Sequence, residues 1–322
     1  MKTNDVVTIG TRGSELALWQ AHWVERMLGE RHANLRLVIE IIKTKGDKIL
    51  DSPLATIGDK GLFTREIEQA LLSGEIDLAV HSLKDLPTEL PEGLKIGAVS
   101  KREDVRDVFI PHPGNPRMKL LEQLPGAKIA TGSLRRRCQL LSLRPDFTII
   151  DIRGNLNTRL KKLAESDWAG MMLARAGVVR LGWEARIGET IEADVILPAV
   201  GQGALGIEIR EGDERMLRLV ASLTDGPTER ATAAERALLR RLEGGCQVPI
   251  GTFARVTPDG DGRTSLHLDA MVGSLDGRSI IRGKTQGDPA RAERLGVDLA
   301  ETLLAAGADR ILSRIRSSDP HQ

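Results

Sequence analysis

Until about residue 200 the chain repeats one rhythm, in which short apolar runs alternate with longer amphipathic stretches. That alternation narrows the possible folds, because parallel strands need a crossover and the helix in it must lie on the sheet. Val6–Gly10 reads as a strand. Ser14–His32 reads as a helix capped by Ser14, with Leu16, Trp19, Trp23 and Met27 on one stripe. Leu35–Ile42 is a strand, Leu62–Leu72 a helix and Ile76–His81 a strand, while Pro87 and Pro91 keep the loop Ser82–Gly93 from continuing as a helix. A second series places strands near Val108–Pro111, Lys128–Thr131, Thr148–Ile152 and Gly170–Ala174. Helices lie between them at Leu134–Leu143, Asn155–Leu163 and Ala176–Leu181. Two α/β units with parallel strands are expected.

Past about residue 225 the pattern changes. A helix over Thr228–Leu242 stops at Gly244–Gly245, and three alternating strands follow at Val248–Val256, Ser265–Gly273 and Arg278–Gln286. Turns fall at Asp259–Gly262 and Asp276–Gly277, and helices over Pro289–Ala306 and Ala308–Arg316 end the chain. This is the pattern of a separate α+β domain with an antiparallel sheet.

Composition excludes several functions. The net charge of +1, from 46 basic and 45 acidic residues among 322, is not that of a nucleic-acid-coating protein. Four Phe, four Trp and no Tyr leave few faces for stacking sugars or bases. Two cysteines, Cys138 and Cys246, make neither a disulfide framework nor a metal knuckle, and no metal site is expected. The first residues do not read as a secretory signal, and no apolar run approaches a membrane span, so a soluble cytoplasmic protein is expected. Arg outnumbers Lys 33 to 13. Arg grips carboxylate or phosphate with paired hydrogen bonds, which points to a polyanionic ligand, although G+C-rich coding biases composition the same way.

Candidate chemistry clusters at strand ends. Gly201-Gln202-Gly203-Ala204-Leu205-Gly206 matches a dinucleotide fingerprint but follows Pro198 and runs into a strand, so its glycines suit a hinge or close packing better. His81-Ser82-Leu83-Lys84-Asp85 leaves a strand at the end where open α/β sheets bind ligands, and Lys84 with Asp85 offers either an anion binder beside an acid/base or a turn cap. Thr131-Gly132-Ser133-Leu134-Arg135-Arg136-Arg137 joins helix N-terminal amides to a hydroxyl and guanidiniums. Arg153-Gly154-Asn155 repeats that arrangement, with Arg159 a turn further on. Cys246 sits in the Gly-rich loop Glu243–Pro249 and is a candidate nucleophile or attachment point, whereas Cys138 on its helix reads as packing.

Eight segments together resemble the porphobilinogen deaminase (hydroxymethylbilane synthase) family over nearly the whole length. They are GTRGSELALWQA (10–21), KGLFTREIEQALL (60–72), DLAVHSLKDLPTELP (77–91), REDVRDVF (102–109), TGSLRRRCQL (131–140), RGNLNTRL (153–160), LPAVGQGALGIE (197–208) and ERALLRRLEGGCQVPIG (235–251). The resemblance implies two periplasmic-binding-protein-like α/β lobes and a C-terminal α+β domain with a three-stranded antiparallel sheet. The implied boundaries are 1–103 with 203–222, then 104–202, then 223–322. It implies a transferase of tetrapyrrole biosynthesis that condenses four porphobilinogen molecules head to tail, with loss of ammonia, into hydroxymethylbilane. A dipyrromethane primer would hang by a thioether from Cys246. Asp85 is implied as the catalytic carboxylate. Lys84, Ser133, Arg135, Arg136 and Asp85 would contact the primer, and Arg12, Ser14, Lys60, Arg153, Arg159, Arg180 and Gln202 the substrate. A monomer with no nucleic-acid or membrane partner is expected.

Thr56 and Asp59 stand where the family commonly has lysine and glycine, so that loop is less basic here. Arg137 and Arg175 occupy variable positions and are expected to face solvent. A non-catalytic, two-lobed binding protein for small dicarboxylates is the alternative that composition and element order allow.

Overall fold

The computed structural model describes residues 6–44, 46, 64–242, 248–260 and 262–317. The first lobe is a five-stranded sheet in the order β2-β1-β3-β10-β4. Its strands are β1 (Val6–Thr11), β2 (Arg36–Ile41), β3 (Leu78–Ser82), β4 (Leu94–Val99) and β10 (Leu205–Arg210). Helix α1 (Glu15–Arg31) starts where the Ser14 hydroxyl accepts the Ala17 N–H at 3.3 Å, with Glu15 and Arg31 complementing the helix dipole at either end. Gln20, Ala21, Val24 and Leu28 are its buried residues. The expected stripe of Leu16, Trp19, Trp23 and Met27 therefore lies one step around the helix from the buried one. Trp23 and Met27 pack at the edge of the lobe-one core. Leu16 and Trp19 instead face the second lobe, beside Gly177 and Arg180. Helix α2 (Arg65–Leu72) covers the other side through Ile67, Ala70 and Leu71.

The second lobe repeats the plan in the order β7-β6-β8-β5-β9. Its strands are β5 (Asp107–Pro111), β6 (Lys128–Ala130), β7 (Thr148–Ile150), β8 (Gly170–Ala174) and β9 (Glu189–Ile191). Its helices are α3 (Leu134–Leu143), α4 (Leu156–Ala164) and α5 (Arg175–Arg180). In both lobes the first three strands of the sheet run parallel and the fourth runs antiparallel to both its neighbours. The expectation of parallel strands holds for four of the five in each sheet, and one strand of each is reversed. Each reversed strand is the one that enters directly from the inter-lobe crossing, so it needs no helical crossover and can pair antiparallel. The sequence reading did not identify β4, β9 or helix α6 (Glu214–Ala221).

The GQGALG segment forms the second crossing. Gly201 and Gly203 lie at φ +69° and +94°, and a Cβ on Gly203 would stand 2.6 Å from the Glu103 carbonyl oxygen on the first crossing. Those glycines serve the hinge and open no helix.

The third unit sets α7 (Gly226–Arg241) and α8 (Ala292–Leu303) against an antiparallel sheet of β11 (Ile250–Pro258), β12 (Thr264–Gly273) and β13 (Ile280–Gly287), with α9 (Asp309–Ser317) after them. Gly296 lets α8 lie against the Ala234 backbone of α7, where a Cβ has no room. Buried Leu238, Leu266, Leu268, Val272, Leu299 and Leu303 form this core. The expected stop at Gly244–Gly245 lies outside the described residues. Among the described residues no helix is long and apolar enough to cross a membrane.

Glu235 of α7 is fully buried and joins the three units. Its Oε1 accepts from Arg102 at 2.8 Å and from the Ala254 N–H at 2.7 Å, and its Oε2 accepts from Arg102 at 3.1 Å and the Gly201 N–H at 2.7 Å. Removing one partner of a buried ion pair costs about 3–5 kcal/mol because the other charge is left dry. Glu235→Ala should lower native stability by that amount, read as a fall in the urea midpoint. Alanine at exposed Glu301, which pairs with Arg241 on the surface, should change it by under about 1 kcal/mol.

Candidate functional site

Strand β3 ends in a 3₁₀ turn, Leu83–Asp85, held from beneath. The Leu83 side chain is buried among Leu86, Val99 and Ala204, and its N–H bonds the Ala204 carbonyl at 3.0 Å. With Leu83 fixed inward, Asp85 is exposed and Lys84 half-buried. Lys84 Nζ donates to Gln202 Oε1 at 3.4 Å. Burial, with Arg136 and Arg135 adding to it, pulls the Lys84 ammonium down to about 8, against the opposing pull of Asp85 and Asp107. The same turn is gripped from the third unit, where Arg236 donates to the carbonyls of Leu86, Pro87 and Thr88.

The opposing wall comes from the start of α3. Ser133 is its N-cap, with Oγ accepting the Arg136 N–H at 3.4 Å. Arg135 and Arg136 are both buried and share the carboxylate of Asp107, the first residue of β5. Arg136 meets it through Nε at 3.1 Å and through a terminal nitrogen at 2.8 Å, and also donates to the Met172 carbonyl at 3.0 Å. Arg135 contacts the same carboxylate at 2.8 Å and the Leu197 carbonyl at 2.6 Å, which leaves its Nε shielded from water without a partner. Burial alone would raise the Asp107 pKa, but the two guanidiniums hold it well below the usual carboxylate range. Arg159, on α4, donates to the Gly154 carbonyl at 2.8 Å. Burial and the neighbouring Arg136 and Arg153 lower it to about 10, with Asp85 and Asp151 opposing. Half-buried Arg153 bonds Asp151 at 3.2 Å. Lys84 and Arg159 thus both lie within electrostatic reach of the exposed Asp85, and Arg136 lies within reach of both cations.

Other candidates sit differently from a simple reading of the motifs. The Ser14 hydroxyl caps α1, and Arg12 is half-buried in the turn before it. Arg180 lies in the hinge, donating to the Gly203 carbonyl at 2.7 Å and resting over Trp19 at 5.5 Å, with its Nε unpartnered. Burial brings its pKa down to about 10. Gln202 is buried and bonds the Val105 carbonyl and Asp107 Oδ1, at 2.7 and 2.8 Å. Cys138 is packing, as expected: it is buried beside Leu197 and Met271, and burial pushes its thiol up to about 12. Arg137 is exposed but donates to the Leu275 carbonyl, and Arg175 lies 3.5 Å from Asp104. Lys60, Cys246, Thr56 and Asp59 fall outside the described residues. Motif reasoning missed Asp107, Glu235 and Arg236 as organisers of the site. The available signal for Asp107 was an acid opening an otherwise apolar strand, DVFIP.

Comparison with known proteins matches residues 7–218 to the model of the porphobilinogen deaminase dipyromethane cofactor binding domain, and residues 230–305 to the porphobilinogen deaminase C-terminal domain. Porphobilinogen deaminase from Chlorobium phaeobacteroides is 54% identical over 314 residues, spanning 96% of this chain and 98% of the relative. That from Carboxydothermus hydrogenoformans is 52% identical over 310 residues, spanning 96% and 97%. Among solved structures, the BvgS periplasmic VFT2 domain of Bordetella pertussis aligns at TM-score 0.41 and 14% identity, over 68% of this chain and 86% of that one. The BenM effector binding domain with benzoate aligns at 0.41 and 16%, over 69% and 91%.

The depressed Lys84 pKa sets a sign. Between about 8 and the ordinary 10.5, the unfolded chain holds a proton that the native lysine has released, so stability from this group rises with pH across that window. In protein free of bound carboxylates, urea midpoints should climb from pH 8 to 10, and Lys84→Met should flatten that climb. Carboxylate binding should run the other way, weakening as pH rises through about 8.

Proposed function

The chain belongs to the porphobilinogen deaminase family, and from that premise we propose how its residues divide the reaction. The protein is a transferase of tetrapyrrole biosynthesis that acts on porphobilinogen, with a dipyrromethane-binding region over most of its first two lobes. A non-catalytic carrier of dicarboxylates is not favoured by these relationships. The residues present suit a polycarboxylate: the shielded Nε donors of Arg135 and Arg180 have no partner, and Lys84, Arg136 and Arg159 lie close enough to act on one another electrostatically. Lys84, Ser133, Arg135 and Arg136 would hold the dipyrromethane by its carboxylates, and Cys246 would carry it by a thioether. When bound, that group supplies the carbon nucleophile to which substrate is added.

The observation that carries the mechanistic reading is the exposed Asp85 within electrostatic reach of Lys84 and Arg159. As ammonia leaves a substrate ring, positive charge builds on that ring, and Asp85 offsets it and accepts the proton released on bond formation. Arg12, Lys60, Arg153 and Arg159 are assigned to the acetate and propionate groups of incoming substrate. Ser14 contributes by fixing the start of α1, Arg180 by holding the hinge, and Gln202 by holding Lys84. We further propose domain limits of 1–103 with 203–222, 104–202 and 223–322, and a cytoplasmic monomer.

Two measurements test this. Intact mass should show two attached pyrrole rings on the purified protein and on Cys138→Ala, and neither ring on Cys246→Ala, which should also be inactive. A wild-type protein of unmodified mass that turns over normally would sink the attachment. Asp85→Asn should keep the added mass yet lose about 10²–10⁴-fold in kcat, the usual worth of a positioned proton-transfer group. Asp85→Glu should retain more. An Asn variant within a few-fold of wild type would remove Asp85 from the chemistry.

A further inference from the structure

Asp107 makes no contact with solvent and cannot itself bind an incoming anion, yet the guanidiniums of Arg135 and Arg136 both close on it. Each of its oxygens already takes two donors. Oδ1 accepts from Arg136 and from Gln202 Nε2, both at 2.8 Å, and Oδ2 accepts from Arg136 Nε at 3.1 Å and Arg135 at 2.8 Å. That fills the lone-pair sites of a carboxylate. The guanidiniums are not filled. Arg135 keeps its shielded Nε, and each fork has five N–H groups to offer. Gln202 then extends the arrangement across the cleft. Its amide nitrogen is on Asp107, in the second lobe, and its amide oxygen is on Lys84 Nζ, in the first.

We propose that Asp107 is a positioning residue for this site: one buried carboxylate sets both guanidiniums of the Arg135–Arg136 pair and, through Gln202, the Lys84 ammonium, as a single carboxylate-gripping unit spanning two lobes. Adjacent guanidiniums repel, and without a shared counter-charge they would turn apart toward water. With it, the pair keeps a net positive charge in a fixed orientation, and Lys84 is tied to it from the first lobe through Gln202. A buried ion pair is a weak source of stability against apolar residues of similar volume, so orientation is the better account of a charge at this place. The proposal rests on the reading of the site given above.

The test uses the full-length protein purified as it is made, in wild-type, Asp107→Asn and Asp107→Glu forms. Thermal midpoints report folding, intact mass reports the fraction carrying the two-ring addition, and kcat/KM for porphobilinogen is followed against pH. Asparagine keeps the shape and removes the charge. The expected result is a reduced fraction of loaded molecules and kcat/KM about 10²-fold lower, the scale of an ångström of misplacement. The charged groups around Lys84 are Asp85, Arg135, Arg136 and Asp107, and Asp107 is one of the two that support its proton. The alkaline limb of the profile should therefore move to lower pH in Asp107→Asn and return toward wild type in Asp107→Glu, with rate only partly restored. A folded Asn variant with normal loading, or one with reduced rate and an unmoved limb, overturns the proposal. If the Asn variant fails to fold, Asp107→Glu decides: loading and rate equal to wild type overturn it, and a folded but slow enzyme supports it. A wild-type protein lacking the two-ring mass overturns the underlying reading and this inference together, whereas a loaded wild type matched by its variants overturns the inference alone.

Discussion

A carboxylate with no access to water, that of Glu235, holds both inter-lobe crossings and the third unit at one point. Its four donors come from Arg102 on the first crossing, Gly201 on the second and Ala254 on β11. The position of the Lys84–Asp85 turn follows from that node. Arg102 also donates to the Gln202 carbonyl, Gln202 holds Lys84, and Arg236, the next residue on α7, grips the carbonyls that follow Asp85. The third unit therefore sets the turn on which the exposed carboxylate sits.

Local chemistry in the sequence was enough to place much of this. Helix α3 begins and ends where its pattern said, because Ser133 caps it and Arg144 lies past its last turn. Ser14 caps α1 for the same reason. The strand ends that carry Lys84, Asp85, Arg135 and Arg136 were legible as charged residues following apolar runs. What failed was non-local. Strand β9 has only three residues and no period to read, and the reversed strands β5 and β10 take their direction from partners far along the chain. The face of α1 was misread by one position because Leu16 and Trp19 serve a neighbour that no single-helix pattern contains.

Arg180, Arg135 and Arg136 all looked like open anion grips, yet each is buried and bonded to backbone carbonyls of its own chain. The charge of Arg135 and Arg136 still acts on the Lys84 ammonium, adding to the effect of burial. Positive charge concentrated behind a rigid wall costs stability in the absence of anions, and a bound polycarboxylate offsets that cost. Side chains held in this way would need little further ordering to meet an anion.

The exchange of strands across the hinge bears on how such a chain emerges from a ribosome. The second lobe's sheet uses only residues 107–191 and can close as soon as they are made. The first lobe's sheet cannot, because β10, at Leu205–Arg210, lies between β3 and β4, which are synthesised about a hundred residues earlier. Until β10 arrives, β3 and β4 have no partner between them and present unpaired edges of largely buried, apolar residues. The lobe begun first is thus completed second, around a neighbour already folded, and the nascent chain is most exposed to misassociation over that interval.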